Sequence, residues 1–250
     1  MATPNDLQRV WQHMLDEFFP GEPCIRLIGN FKEENVRSTG TKLLTWAMKN
    51  LLIKDCLKDN TSVLALNNKD EIVGKYLDYY ISRFSGLTKI CIFSGFKLGQ
   101  AVAITDKKDP DIPYTTLLKH LSKMMSNATI KFMHLCDALH NTLRYDPHMA
   151  MEDQGIKKIF VGEVLSVAAS QRGMKLGMVM MMQSMEIARE KECEGYFAVL
   201  SGIYSQKIYE DLGFSWMKEL VYADFKDKAG NIILDDMREH KSMITAYKKS

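Results

Sequence analysis

The stretch Val164-Leu165-Ser166-Val167-Ala168-Ala169-Ser170-Gln171-Arg172-Gly173-Met174-Lys175-Leu176-Gly177 sets a polar, glycine-marked loop between an apolar, β-rich run and the start of a helical one. Such a loop can bind phosphate. Successive N–H groups converge at the turn, the helix N-terminus adds partial positive charge, and glycines let the backbone approach a ligand without Cβ interference. Gly173 and Gly177 meet that last need, and Arg172 and Lys175 can add charge. On two glycines alone, a routine strand-to-helix turn with solvated basic residues is the first reading. Other reactive side chains point to less. The five cysteines (Cys24, Cys56, Cys91, Cys136, Cys193) show no Cys-x-x-Cys pair, and the six histidines form no close ligand pair, so no metal site is expected. Met174, Met178, Met180, Met181, Met182 and Met185 are expected to be core packing, the usual role of an adaptable gap-filler.

The elements that must position the loop follow from periodicity. Lys158 to Ala168 reads as a strand, Gln171 to Gly177 as the turn, and Met178 to about Lys191 as a helix. The order then repeats: Gly195 to Leu200 is an apolar strand, and Ser201 to Leu212 a helix closed by Gly213. Ser201 suits its N-cap and Ser205 its surface. Upstream, Leu7, Val10, Trp11, Met14 and Phe18 mark an amphipathic first helix, capped by Asn5 or Thr3 and stopped by Phe18-Phe19-Pro20-Gly21-Glu22-Pro23. A second helix is expected around Leu43 to Leu52, a hairpin across Asn67-Asn68-Lys69-Asp70, and two helices between residues 113 and 145. Trp216 to Phe225 and Lys241 to Tyr247 read as closing strands.

Length and composition bound these readings. The 250 residues, 46% hydrophobic and 26% charged, fit one α/β domain spanning 1–250 rather than a disordered or disulfide-stapled chain. A net charge of +2, with basic and acidic residues interspersed, gives no electrostatic footprint for nucleic acid or anionic membrane. With an odd, scattered set of cysteines and neither a signal peptide nor an apolar span, the expectation is a cytoplasmic protein.

Arg172 to Gly177 resembles the Arg/Gln-x-x-Gly-x-Gly/Ala acyl-CoA loop of the GCN5-related N-acetyltransferase (GNAT) superfamily, with Lys175 where a glycine is usual. Tyr209-Glu210-Asp211-Leu212-Gly213-Phe214 is similar to the superfamily's Tyr-Glu-x-Leu-Gly-Phe segment. Phe18 to Pro23 resembles the Phe-Phe-x-x-Glu-Pro segment of insect-type arylalkylamine N-acetyltransferases, as do the serine pair of Leu200 to Ser205 and the last strand from His240 to Tyr247. The resemblance implies the GNAT fold: a central mixed, mostly antiparallel sheet flanked by helices on both faces, with parallel strands splayed at the acyl-CoA site. It implies transfer of acetyl from acetyl-CoA, as co-substrate and without metal, to an arylalkylamine of the dopamine, tryptamine, serotonin, octopamine or tyramine type. The expected partner is this small amine, and a monomer is expected.

An ammonium ion cannot attack a thioester, so a carboxylate must take the proton, and the resemblance assigns that to Glu22. The flanking aromatic residues and prolines would partly desolvate it, although spacing alone reads it first as a solvated loop carboxylate. The resemblance places Ser201 and Ser205 near the amine and thioester, and Tyr209 near the CoA sulfur. Ser201 and Tyr209 compete to protonate the leaving thiolate. The Val167 N–H would face the acyl oxyanion. Leu165 and Ser166 would line the pantetheine arm, and Gln171, Arg172, Gly173, Met174, Lys175, Leu176 and Gly177 would hold the pyrophosphate. Direct transfer is favoured, with Cys24 the one cysteine near a proposed catalytic residue. The alternatives are a polyamine or agmatine substrate, a longer acyl donor, or a catalytically silent acyl-CoA-binding module.

Overall fold

Alternating β-branched and aromatic residues build a six-stranded sheet in the order β1-β2-β3-β4-β6-β5. The strands are β1 (Val63–Leu66), β2 (Ile72–Ser82), β3 (Lys158–Val167), β4 (Gly195–Leu200), β5 (Ser215–Val221) and β6 (Ser242–Lys249). Neighbours run antiparallel except β3 and β4, which are parallel. This is the mixed, mostly antiparallel sheet expected. The computed structural model describes residues 1–26, 42, 45–46, 48–58, 60–82, 143, 146–226, 230–232, 234 and 237–250. The helices expected between 113 and 145, together with Cys91 and Cys136, lie outside the described residues.

Helices cover both faces. On one, Val10 and Trp11 of α1 (Leu7–His13), Leu57 of α3 (Lys54–Lys58) and Met151 of α4 (Pro147–Asp153) pack against Leu77, Ile159, Val161 and Phe197. The short α2 is Pro23–Arg26. On the other face, Met180, Met181 and Met185 of α5 (Leu176–Glu190) and Tyr209 of α6 (Ile203–Asp211) pack on Tyr76, Phe160, Tyr196 and Ala246. Strand alternation sends Tyr76 and Leu77 to opposite faces, giving each set of helices an apolar floor.

Several boundaries differ from expectation for local reasons. The N-terminal helix is not uniform: α1 passes into a π-helical turn at Met14–Phe18, and the wider turn lets the adjacent Met14 and Leu15 both reach the core. Thr3 precedes its first turn, its N–H donating to the Asp6 carboxylate at 3.0 Å. Strand β5 ends at Val221, and Tyr222–Asp224 form a 3-10 turn that buries Tyr222. The methionine stripe is divided: Met180, Met181 and Met185 are core, whereas Met174 and Met182 are exposed.

Candidate active site

The site begins where two parallel strands part. β3 and β4 are paired from Ile159/Gly195 to Gly162/Ala198, after which β4 continues only against β6. At the same point the β2–β3 register shifts: Asp78 faces Gly162 but Leu77 faces Val164, leaving Glu163 as an extra residue. Such a bulge bends its strand and turns β3 away from β4. Beyond it, Ala168 N–H donates to Val73 C=O at 2.8 Å. Bonded pairs alternate along an antiparallel ladder, so Lys75/Ser166 is bonded, while Leu165 and Val167 turn N–H and C=O toward the edge β4 has vacated. Among the described residues the gap thus has a wall of main-chain donors and acceptors that β2 does not use, the Val167 C=O accepting from Arg172 Nε at 3.3 Å.

The wall leads into the loop. Ala169–Gln171 make a 3-10 turn, Arg172 is extended, Gly173 has φ +80° and Lys175 φ +58°, and α5 follows. The lysine that departs from the superfamily pattern therefore keeps the left-handed backbone a glycine would favour. Its exposed side chain leaves the first-turn N–H groups of α5 without a side-chain cap. A Cβ on Gly173 would meet nothing within 4 Å, so backbone conformation, not crowding, calls for glycine. A Cβ on Gly177 would lie 3.0 Å from Ile208 Cδ1, so this glycine also permits the close packing of α5 on α6.

Two segments close on the opposite side. Glu22 is buried, at 5% exposure, and its N–H donates to Phe18 C=O at 2.9 Å, folding the Phe18–Glu22 turn tightly. Tyr222, pushed up in pKa by burial and then by Cys24 and Glu22 beside it, donates its hydroxyl to Ser201 C=O at 2.7 Å. A Cβ on Gly202 would lie 3.8 Å from Pro23 Cγ. The Glu22-Pro23-Cys24 segment and the Ser201-Gly202 turn are thus brought together through Tyr222. The N-cap of α6 is Gly202, not Ser201. Gly202 has no side chain to cap with, and the Ile203 N–H donates instead to His240 Nδ1 at 3.1 Å. Ser205 donates to Gly202 C=O at 2.8 Å, inside the same first turn.

Tyr209 lies at the bottom of the gap, buried at 2% exposure, with its hydroxyl 2.7 Å from that of Tyr76. Burial raises its pKa far above the ordinary phenol range, whereas the Tyr76 hydrogen bond lowers it. Ser166 faces the other side of the sheet. His13 Nδ1 lies 3.1 Å from the Ile72 carbonyl, which can only accept, so Nδ1 carries the hydrogen and Nε2 accepts from Ser166 Oγ at 3.3 Å. Burial, then the nearby Lys75 ammonium, lowers the His13 pKa to about 4. Lys75 is itself buried, its Nζ donating to Val10 C=O at 3.2 Å, and burial holds its pKa well down.

Tyr76, Tyr222 and His240 were not singled out by sequence reasoning as site residues. Each acts across long sequence separations, and one signal was available: His240 opens the segment matched to the last strand. Among the described residues no group of three or more His, Cys, Asp or Glu is placed to hold a metal, and no helix is long and apolar enough to cross a membrane.

No protein-family model matches the sequence, and no curated protein matches it. Solved structures do. Arylalkylamine N-acetyltransferase 2 from Aedes aegypti superposes with a TM-score of 0.71 at 19% identity, over 99% of this chain and 96% of that one. Drosophila melanogaster polyamine N-acetyltransferase, which catalyses the formation of N-acetylagmatine, gives 0.65 at 16%, over 100% and 98%. The C-terminal condensation domain of Ebony, in complex with β-alanyl-dopamine, gives 0.59 at 13%, over 100% and 96%. The chain has the GNAT fold.

Proposed function

We propose that this protein transfers the acetyl group of acetyl-CoA to the primary amine of an arylalkylamine. The observation that carries the reading is the open edge of β3, where Leu165 and Val167 present main-chain groups along a gap that ends in the Arg172–Gly177 loop. Pantetheine, an amide-bearing chain, pairs along that edge like an added strand, and the pyrophosphate meets the N–H groups of the loop and the first turn of α5.

Glu22 accepts the ammonium proton, the neutral nitrogen attacks the thioester carbonyl, and the Val167 N–H steadies the oxyanion. The C–S bond breaks with its electron pair on sulfur, which takes a proton from Tyr209. Tyr209 is preferred to Ser201 as the acid because its hydroxyl lies at the parting of β3 and β4. Ser205, committed to Gly202 C=O, serves the geometry of the turn.

The test is thiol release from acetyl-CoA with dopamine, tryptamine, serotonin, octopamine, tyramine, agmatine and spermidine offered in parallel. Release with the aromatic amines is the expected result. Release with agmatine or spermidine alone would move the substrate to the aliphatic polyamines, which the comparable likeness to the Drosophila enzyme keeps in the panel. CoA binding with no release from any amine would make the chain a silent acyl-CoA-binding module.

A further inference from the structure

Gly162 is the last residue of β3 paired to β4, and a Cβ there would lie 2.0 Å from the Tyr76 hydroxyl and 2.7 Å from the Tyr209 hydroxyl. No other residue leaves room for both phenols. The glycine therefore holds a notch at the parting of the strands, and a pair of tyrosine hydroxyls from β2 and α6, 2.7 Å apart, fills it. Neither ring is free to swing away. Tyr209 packs on Phe214 with ring centroids 4.6 Å apart, and Tyr76 is buried in the same cluster.

We propose that Tyr76 is a positioning residue for protonation of the leaving thiolate: its hydroxyl donates to the Tyr209 oxygen within the Gly162 notch, which leaves the Tyr209 proton aimed into the gap between β3 and β4. The proposal rests on the reading of Tyr209 as the acid. A hydroxyl pair shares one hydrogen, so if Tyr209 were the donor its proton would be spent on Tyr76 and none would face the sulfur. With Tyr76 as donor, the Tyr209 oxygen is also supported as it becomes a phenolate. Burial, Asp78 on β2 and Glu163 on β3 all oppose that phenolate, and the Tyr76 hydrogen bond is the one influence among these that favours it. During the step, the S–H bond forms as the Tyr209 O–H bond breaks. The nitrogen sheds its second proton to solvent as the amide forms, which balances the proton solvent returns to Tyr209 after CoA leaves, and the proton that Glu22 gives up is the one net proton released.

The experiment is a double-mutant cycle of Tyr76→Phe and Tyr209→Phe, read as the single-turnover rate of thiol release from acetyl-CoA with tryptamine, alongside acetyl-CoA affinity and thermal midpoint. Tyr76→Phe should slow the step about tenfold with affinity for acetyl-CoA unchanged, and should cost nothing further in the Tyr209→Phe background. An equal loss in both backgrounds, or a loss confined to acetyl-CoA affinity, would overturn the positioning role while leaving Tyr209 as the acid. An undiminished rate in Tyr209→Phe alone would instead remove Tyr209 from the mechanism, and the role of Tyr76 with it.

Discussion

Lys175 spends its backbone in a conformation that costs a side-chain-bearing residue about 1 kcal/mol. Lys175→Gly should therefore raise thermal stability by roughly that amount. Any accompanying loss of CoA affinity would measure what the ammonium itself contributes to phosphate binding. Glu22 carries a different expectation. Glu22→Gln should lower turnover about a hundredfold, most severely at low pH where the amine is almost wholly protonated, while calorimetric CoA affinity stays unchanged. Cys24, buried beside Tyr222, is the control: Cys24→Ala should keep turnover if transfer is direct. At this scale the sequence was informative about residue types and poor about partners. Glu22 and Ser201 could be nominated from motifs. That Tyr222 joins their segments, or that His240 rather than Ser201 meets the α6 N-terminus, depends on contacts between residues far apart in the chain.

The strand, loop and helix from Lys158 to Glu190 were legible because a β-rich apolar run, a polar turn and a helix-forming run follow in direct succession. The two glycines look alike in sequence and differ in their surroundings. Gly173→Val should weaken CoA binding about tenfold through a strained loop, since nothing stands near its missing side chain. Gly177→Leu should instead separate α5 from α6 and cost 1 to 3 kcal/mol, roughly, in urea unfolding. Obtaining the reverse pattern would exchange their roles. The bulge at Glu163 was not legible, because an extra residue in one strand shows only when its partner strand is known, and here the partner is some 80 residues upstream, at roughly Leu77 and Asp78.

Across the whole molecule, His13 makes stability depend on pH. The folded protein holds it neutral down to about pH 4, whereas the unfolded chain takes up a proton near 6.5. The contribution is absent above pH 6.5 and becomes a penalty as pH falls through that window, reaching about 3 kcal/mol near pH 4. Unfolding titrations of His13→Gln should show a shallower acid limb than the parent. Lys75, Asp16 and Ser166 remain around the site in both proteins. The sheet and its two helical layers were inferable from patterning, since each strand shows its burial in its own residues; the crossing of β6 between β4 and β5 was not, because strand order leaves no local trace. One join spans these layers. The Glu17 carboxylate accepts the Ala169 N–H at 2.8 Å, and Gly21 lies beside the Arg172 guanidinium, so the turn bearing Glu22 is moored to the start of the loop that leads into α5. A nucleotide docked there would have a short route to the proposed proton acceptor, and the two reactants should bind with positive coupling, tryptamine held more tightly once CoA is aboard and CoA, by reciprocity, once tryptamine is.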